Sequence, residues 1–249
     1  MHDIEAIERA TLAAVPPRGQ ETWNDWLLAF DAGTVGRCHS ATPLRHEAPA
    51  ARTLAGLEER YAAQGLATVL RVPELPAFDA FRSQLGAAGY VRTKPTLVQA
   101  GRVGELAGGM PPAVDVQLAP TAAPDWEQVF LGEGFDPVDG ASRLAILRRG
   151  ADSVFASVRE QGRTIAVGAA CFSHGWCGVH GMRTLPAHRG RGLAGAVLSA
   201  LARRAQERGV QRCFLQVEEG NARARSLYAG RGFTTAWGYA YWRKEEAKT

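Results

Sequence analysis

The segment Pro186-Ala-His-Arg-Gly-Arg-Gly-Leu-Ala-Gly195 gathers the groups that grip a phosphate. Gly190 and Gly192 remove side chains where a backbone must approach a ligand closely. An apolar-periodic helix begins directly after them, so its first N–H groups point outward and its dipole favours negative charge there. Arg189 and Arg191 add fork-shaped cationic donors that match phosphate oxygens. Around this bend lie residues able to move protons. His180 leads into it and titrates near neutrality in its ordinary state. Glu218 and Glu219 close the next apolar stretch, and Asn221 and Tyr228 follow on the segment after that. Asn221 is also a favoured helix N-cap, Tyr228 can equally be a packing tyrosine, and His188 reads as structural or phosphate-side.

The glycines also fit Gly-x-Gly-x-x-Gly through Gly190, Gly192 and Gly195, with Glu218 or Glu219 where a ribose-binding acid would sit. Three features oppose that dinucleotide-binding alternative. Pro186-Ala-His-Arg separates the preceding strand from the first glycine. Only about 30 residues follow Glu219, too few for further βα units. The strands before the bend read as an antiparallel meander. A nucleoside-triphosphate loop would need Gly-Lys-Ser/Thr, which the chain lacks.

The elements that must position these residues are readable from periodicity. Val114–Leu118, Ser153–Arg159, Thr164–Phe172, Trp176–Leu185, Arg212–Val217 and Phe233–Arg243 read as strands. Pro124–Phe135, Gly140–Arg149 and Asn221–Ala229 read as helices. Leu193–Arg208 is the strongest helix, with apolar residues at i, i+3, i+4, i+7 and Gly209 beyond its end. The order predicts an α+β fold: a mixed central sheet flanked by helices.

An internal repeat extends this to the first half. Residues 57–90 and 201–233 share the order helix, Gly, strand ending at Val, helix, Gly-aromatic, strand. Gly65 corresponds to Gly209, Val72 to Val217, Gly89 to Gly232 and Tyr90 to Phe233, which argues for two related domains in tandem, 1–110 and 111–249. The boundary is expected in the Gly/Pro-rich stretch Gly101–Pro112. The first half has no glycine-rich loop, and Phe81 and Leu85 occupy the helix where Asn221 and Tyr228 stand in the second.

Composition excludes several classes. Of 249 residues, 46% are hydrophobic and 22% charged, as in ordinary globular proteins. No apolar run is long enough for a membrane helix. The first 14 residues carry Asp3, Glu5 and Glu8 and lack the basic start of a signal peptide. Cys38, Cys171, Cys177 and Cys213 are scattered, which predicts reduced thiols, a cytoplasmic protein and no metal. Residues 1–110 hold 11 basic and 12 acidic side chains, and residues 111–249 hold 18 and 13. The basic second half suits an anionic ligand. Arg203, Arg204 and Arg208 read as a solvated helix face rather than a nucleic-acid surface.

From Met182 to Tyr228 the chain resembles the general N-acetyltransferase superfamily, GNAT. The cofactor-loop pattern Arg/Gln-x-x-Gly-x-Gly/Ala matches at Arg189, Gly192 and Ala194. The pattern Asn-x-x-Ala-x-x-Leu-Tyr matches at Asn221, Ala224, Leu227 and Tyr228. The resemblance covers residues 114–244 well and residues 15–100 in outline, as the degenerate half of a tandem pair. It implies acetyl-CoA as co-substrate, a primary amine of a small molecule or protein as acceptor, and direct transfer without a covalent enzyme intermediate. It further implies that Gly190, Arg191, Gly192, Leu193 and Ala194 hold the diphosphate with Arg189. The edge of Gly181–Leu185, with Met182, Arg183 and Thr184, would receive the pantetheine arm, and Asn221 would bond the cofactor or a water. Tyr228 becomes the general acid. Glu218 and His180 are the leading bases, with Glu133 and Asp136 nearby and a water chain as an alternative. A CoA-binding regulatory protein without turnover is the second reading. No membrane or nucleic-acid partner is expected, and the chain is expected as monomer or homodimer.

Overall fold

The chain's hairpin turns lay out its sheet. Asn24 and Asp25 adopt left-handed φ values of 45° and 60°, the conformation of a tight two-residue turn whose twist matches its strands. They join β1 (Gly19–Trp23) to β2 (Trp26–Phe30). The computed structural model describes residues 3–108, 114–132 and 135–245. Before β1 comes α1 (Ile4–Ala14), capped by Asp3. After β2 come β3 (Ala41–Pro43), α2 (Thr53–Ala63), β4 (Val69–Pro73), α3 (Asp79–Ala87), β5 (Tyr90–Arg102) and α4 (Val103–Ala107). The second half contains β6 (Val116–Ala119), α5 (Pro124–Leu131), α6 (Pro137–Arg149), β7 (Ser153–Glu160), β8 (Arg163–Ser173), β9 (Trp176–Thr184), α7 (Leu193–Glu207), β10 (Arg212–Glu218), α8 (Ala222–Ala229) and β11 (Thr234–Lys244). The expected strands and helices of this half all form, with ends displaced by a few residues at most, as fraying termini allow.

Among the described residues, eleven strands form one mixed sheet in the order β1-β2-β3-β4-β11-β5-β10-β9-β8-β7-β6. The centre of that order is an exchange. β5, from the first half, lies antiparallel to β10 of the second, and β11 lies antiparallel to β4 of the first. β5 and β11 then pair with each other. The glycines matched in sequence share a left-handed conformation: Gly65 and Gly209 have φ of 66° and 73°, Gly89 and Gly232 of 81° and 85°. Phe81 and Leu85 are buried in the first half's core.

The Gly/Pro-rich stretch expected as the boundary differs in its first part. Gly101 and Arg102 continue β5, and residues 103–107 form α4. The reason is burial: Val103 and Leu106 pack into the core over α7, and Ser199 Oγ donates to the Leu106 carbonyl at 3.1 Å. The rest of that stretch, 109–112, lies outside the described residues.

Helices cover both faces of the sheet. One apolar cluster joins α7, α4 and Tyr228 of α8 to β7–β10. On the other face Trp126 of α5 packs with Phe155, Val167 and Ala169, and Ile7 and Ala10 of α1 pack with Trp176, Phe214, Trp237 and Tyr239. Among the described residues no helix is long and apolar enough to cross a membrane.

Candidate active site

The site begins where two neighbouring strands part. β9 and β10 run parallel through four register pairs ending at Val179↔Leu215. Past that point β10 stays with β5 as far as Glu218↔Thr96, while β9 follows β8 as far as Thr184. The ladder between them therefore opens into a wedge, with His180–Thr184 on one side and Gln216–Glu218 on the other.

A bulge shapes the β9 side. The β8–β9 register passes from Val167↔Arg183 to Ala169↔His180, so Gly181 and Met182 together face Gly168. Gly181 has φ +65°, a conformation a side chain would strain. The extra residue shifts the alternation, so Met182 packs on the α7 face. Gly168 makes room for it: a Cβ there would lie 2.4 Å from Met182 Sδ and 2.7 Å from Val197 Cγ1. Leu185 N–H donates to the Ile165 carbonyl at 3.0 Å. Successive residues of a strand point their backbone groups to opposite edges, so the N–H groups of Met182 and Thr184 face the wedge.

After Thr184 the chain makes one 3-10 turn, Pro186–His188, and enters α7 through Gly190 and Gly192. Gly192 is the N-cap, with φ +76°, and no side chain caps this helix. The amides of its first turn are thus open, whereas α8 is capped by Asn221, whose Oδ1 accepts from Ala224 N–H at 3.1 Å. This bare, positively polarised end fits a diphosphate. Leu193 is buried in the core and Ala194 half-buried. Gly195 serves packing instead: a Cβ there would lie 2.1 Å from Arg231 Nη2. The third glycine of the dinucleotide-like pattern is accounted for by that contact.

The arginines are employed differently from the simple cradle. Arg191 places its guanidinium 2.5 Å from Glu160 at the β7–β8 turn and 2.9 Å from His188 Nδ1. Arg189 Nε donates back to the Thr184 carbonyl at 3.4 Å. Arg183 Nη1 donates to the Leu131 carbonyl at 2.6 Å, a cation at the C-terminus of α5 that ties this helix to the wedge.

The candidate proton carriers divide between the two faces. Cys177 and Val179 of β9, and Cys213, Leu215 and Val217 of β10, pack on the α7 face with Tyr228. By alternation His180, Gln216 and Glu218 belong to the α1 face. Gln216 confirms this: its Nε2 donates to Thr11 Oγ1 at 3.0 Å, and its Oε1 accepts from Tyr239 Oη at 2.9 Å. Tyr228 packs edge-on against Phe233, and burial pushes its phenol above the ordinary tyrosine range. Glu218 is exposed at the mouth of the wedge. Asp136 caps α6 by accepting from Asp139 N–H at 2.8 Å. Glu133 lies outside the described residues.

His180 behaves unlike a free imidazole. Part of the residue touches solvent, but Nε2 is enclosed and has no hydrogen-bond partner. Burial, assisted by the Arg37 charge, pushes its pKa down to about 3. The ring is neutral at pH 7 and binds a proton too weakly to act as an effective base. A histidine whose folded pKa lies below its unfolded value contributes stability that fades as pH falls through the unfolded value. His180→Gln should therefore lose less stability than the parent between pH 6.5 and 4.5, by about 2 kcal/mol. Urea denaturation at both pH values measures this, and equal losses would show that the ring takes a proton without penalty.

The α1 face also carries a cavity of about 260 Å³ between the halves, which includes Gln216, Glu218, Tyr239 and Tyr241. Tyr239 and Tyr241 form part of its wall. Arg37, Lys94, Arg143 and Arg243 also line it and carry no motif by which sequence reading could find them. Trp126, whose Nε1 donates to the Ala156 and Gly168 carbonyls at 3.1 and 3.3 Å, was equally unmarked.

Arg203 and Arg204 lie on α7 and Arg208 is its C-cap, with Arg204 paired to Glu207 and Arg208 to Asp152. All four cysteines are buried free thiols. Among the described residues no group of three or more His, Cys, Asp or Glu is placed to hold a metal ion.

No curated protein matches the chain. Among solved structures it is similar to a GCN5-related N-acetyltransferase from Kribbella flavida, with 18% identity and a TM-score of 0.74 over 99% of this chain and 97% of that one. A tandem GNAT protein from the clavulanic acid biosynthesis pathway gives 16% identity and a TM-score of 0.61 over 98% and 96%. A functionally unknown conserved protein from Staphylococcus epidermidis gives 10% and 0.70 over 97% and 100%. These likenesses show a shared fold, the GNAT-like mixed sheet flanked by helices in tandem form. A family model described as "Probable histone acetyltransferase Rv0428c C-terminal" matches residues 1–242. With its sheet opened ahead of a bare helix end and that match spanning nearly its whole length, the chain belongs to this GNAT-fold acetyltransferase family.

Proposed function

We propose that this chain transfers an acetyl group from acetyl-CoA to a primary amine by direct attack, with the catalytic half at 111–249 and a degenerate partner half at 1–110. The observation that carries the reading is the parting of β9 from β10 directly ahead of the uncapped N-terminus of α7. Acetyl-CoA supplies the activated acyl group as a thioester. The amides from Gly190 to Ala194 hold the diphosphate. The open N–H groups of Met182 and Thr184 orient the pantetheine arm as an added strand would, and one of them polarises the thioester carbonyl.

Proton management falls to residues on opposite faces. Tyr228, kept protonated by burial, holds on the α7 face the proton that the departing sulfur needs. Glu218, at the mouth on the α1 face, accepts the proton of the attacking amine, directly or through water. The weak basicity of His180 favours Glu218 for this role. The acid and the base thus stand on either side of the sheet opening, so that attack and departure need not share one path.

Thiol release with acetyl-CoA and a panel of primary amines, alongside calorimetry of acetyl-CoA binding, tests the proposal; absence of acetyl-CoA binding would refute it. Tyr228→Phe should lower kcat about 10²-fold while the Kd for acetyl-CoA stays nearly unchanged. Turnover equal to the parent's would remove Tyr228 from the acid role.

A further inference from the structure

We infer that the acceptor is a small amine that also carries an anionic group, a carboxylate or phosphate, and that the cavity on the α1 face holds that group. The inference rests on the transferase reading for its chemistry, and on the cavity for its charge.

The lining is lopsided. Arg37, Lys94, Arg143 and Arg243 contribute four cations, and Glu218 is the one carboxylate among the lining residues. Among the described residues, Arg37, Lys94 and Arg243 have no carboxylate within ion-pair distance; Arg143 shares its charge with Asp139 at 3.0 Å. Tyr239 and Thr93 at the wall spend their hydroxyl protons within the protein, on Gln216 Oε1 at 2.9 Å and on the Tyr241 carbonyl at 3.5 Å, so the cations are the groups left to meet an anion. Three cations without a contact ion pair around one small cavity, partly offset by the nearby Glu8 and Asp139, raise the local potential and draw in an anion.

The backbone is bent to bring one of them there. Across the β5–β11 pair the register passes from Tyr239↔Thr96 to Tyr241↔Thr93, leaving one extra residue in β5. Lys94 sits in this bulge with φ +47°, an uncommon conformation for a lysine that costs about 1–2 kcal/mol. The bulge is closed by Glu219 N–H donating to the Pro95 carbonyl at 2.9 Å and by Thr96 Oγ1 donating to the Lys94 carbonyl at 3.0 Å. Those bonds tie the end of β10, where Glu218 stands, to the lysine beside the cavity. Strained bulges are enriched next to functional sites.

Position connects the cavity to the chemistry. Gln216 and Glu218 belong both to its lining and to the wedge. Arg37 acts electrostatically on His180 of β9, and Arg143 on Arg183. An amine held against Glu218 thus leaves its anionic end among Arg37, Lys94, Arg143 and Arg243. The volume, about 260 Å³, lies at or below the ~300 Å³ at which drug-sized ligand pockets begin, which favours a small molecule. A lysine- and arginine-rich peptide tail would meet like charge at the same wall.

The test compares paired amines: phosphoethanolamine with ethanolamine, γ-aminobutyrate with its amide, β-alanine with β-alaninamide. Calorimetric binding to the full chain is measured with and without acetyl-CoA, and thiol release where turnover occurs. In at least one pair the anionic member should bind at least about 10-fold tighter and give a kcat/KM about 10²-fold higher. In the double variant Lys94→Asn, Arg243→Gln the preference should fall below about 5-fold, with the Kd for acetyl-CoA within about 2-fold of the parent's and an unchanged thermal melt. Asn is chosen because it tolerates positive φ. Equal binding within every pair, no binding by any anionic member, or a preference that survives the double substitution would overturn the inference. Because the binding arm needs no acetyl-CoA, its outcome is separable from a failure of the transferase reading, which would appear as absent acetyl-CoA binding.

Discussion

Gly192→Glu should raise the Kd for acetyl-CoA by at least about 10²-fold, with little change in the fold away from the α7 entry. Two physical effects act together. The N-cap position has φ +76°, where a Cβ costs about 1–2 kcal/mol, so the bend relaxes away from the geometry that fans out the first amides. The carboxylate then occupies the positive end of α7 and repels a diphosphate from the same amides. Gly192→Ala carries only the first effect and should fall between parent and Glu variant. Calorimetry on all three proteins, with circular dichroism as a check on folding, orders them. Binding by the Glu variant as tight as the parent's would place the diphosphate elsewhere.

Arg71→Leu should destabilise the protein by about 3–5 kcal/mol, the usual consequence of leaving a buried charge without its partner. Arg71 on β4 and Glu8 on α1 approach to 2.8 Å with side chains only 1% and 3% exposed. Burial pushes the Glu8 carboxyl above its ordinary range, and the guanidinium opposes that shift. Arg71 also lies over the Tyr239 ring, 5.4 Å from its centre, so the pair sits beneath the α1-face cavity. For a domain of this size the loss corresponds to a fall in Tm of roughly 10 °C. Adding Glu8→Met to Arg71→Leu should recover most of it, because two apolar side chains replace two buried charges. A thermal denaturation cycle over the four proteins measures the coupling. A single variant as stable as the double one would mean that the charge of Glu8 is already solvated or neutralised in the native state.

Sequence reading was strong where local pattern decides structure. Leu193–Glu207 follows a 3.6 period, the strands from Ser153 to Thr184 alternate, and Gly65/Gly209 and Gly89/Gly232 share left-handed φ values. The bend at Gly190–Gly192 was legible because an uncapped helix start has a local signature. What escaped depends on partners far along the chain. Nothing in the pattern of β5 announces that its neighbours are β10 and β11. Glu8 counts in the composition simply as one of three N-terminal acids, and only the docking of α1 onto the sheet reveals it as buried against Arg71. Arg191 reads as a phosphate ligand until Glu160, brought close by the β7–β8 hairpin, takes up its guanidinium. Arg37, Lys94, Arg143 and Arg243 come from four separate segments, and a cationic cavity assembled by topology leaves no motif. Gly168 and the bulge at Gly181 belong to the same class, since the need for space at one appears only with Met182 lying across it.

The crossed pairing of β5 and β11 gives the molecule a property that neither half has alone. Each half ends by handing its last strand to the other, so each half's hydrogen-bond ladder is completed by residues that a cut at 110 would remove. What two separate pieces could do only by finding each other in dilute solution, this polypeptide does at the effective concentration set by its own connection. The bare helix end of α7 comes from one half while Arg37 and Lys94 of the cavity wall come from the other, a division of labour that a symmetric pair of identical chains would have to carry in duplicate.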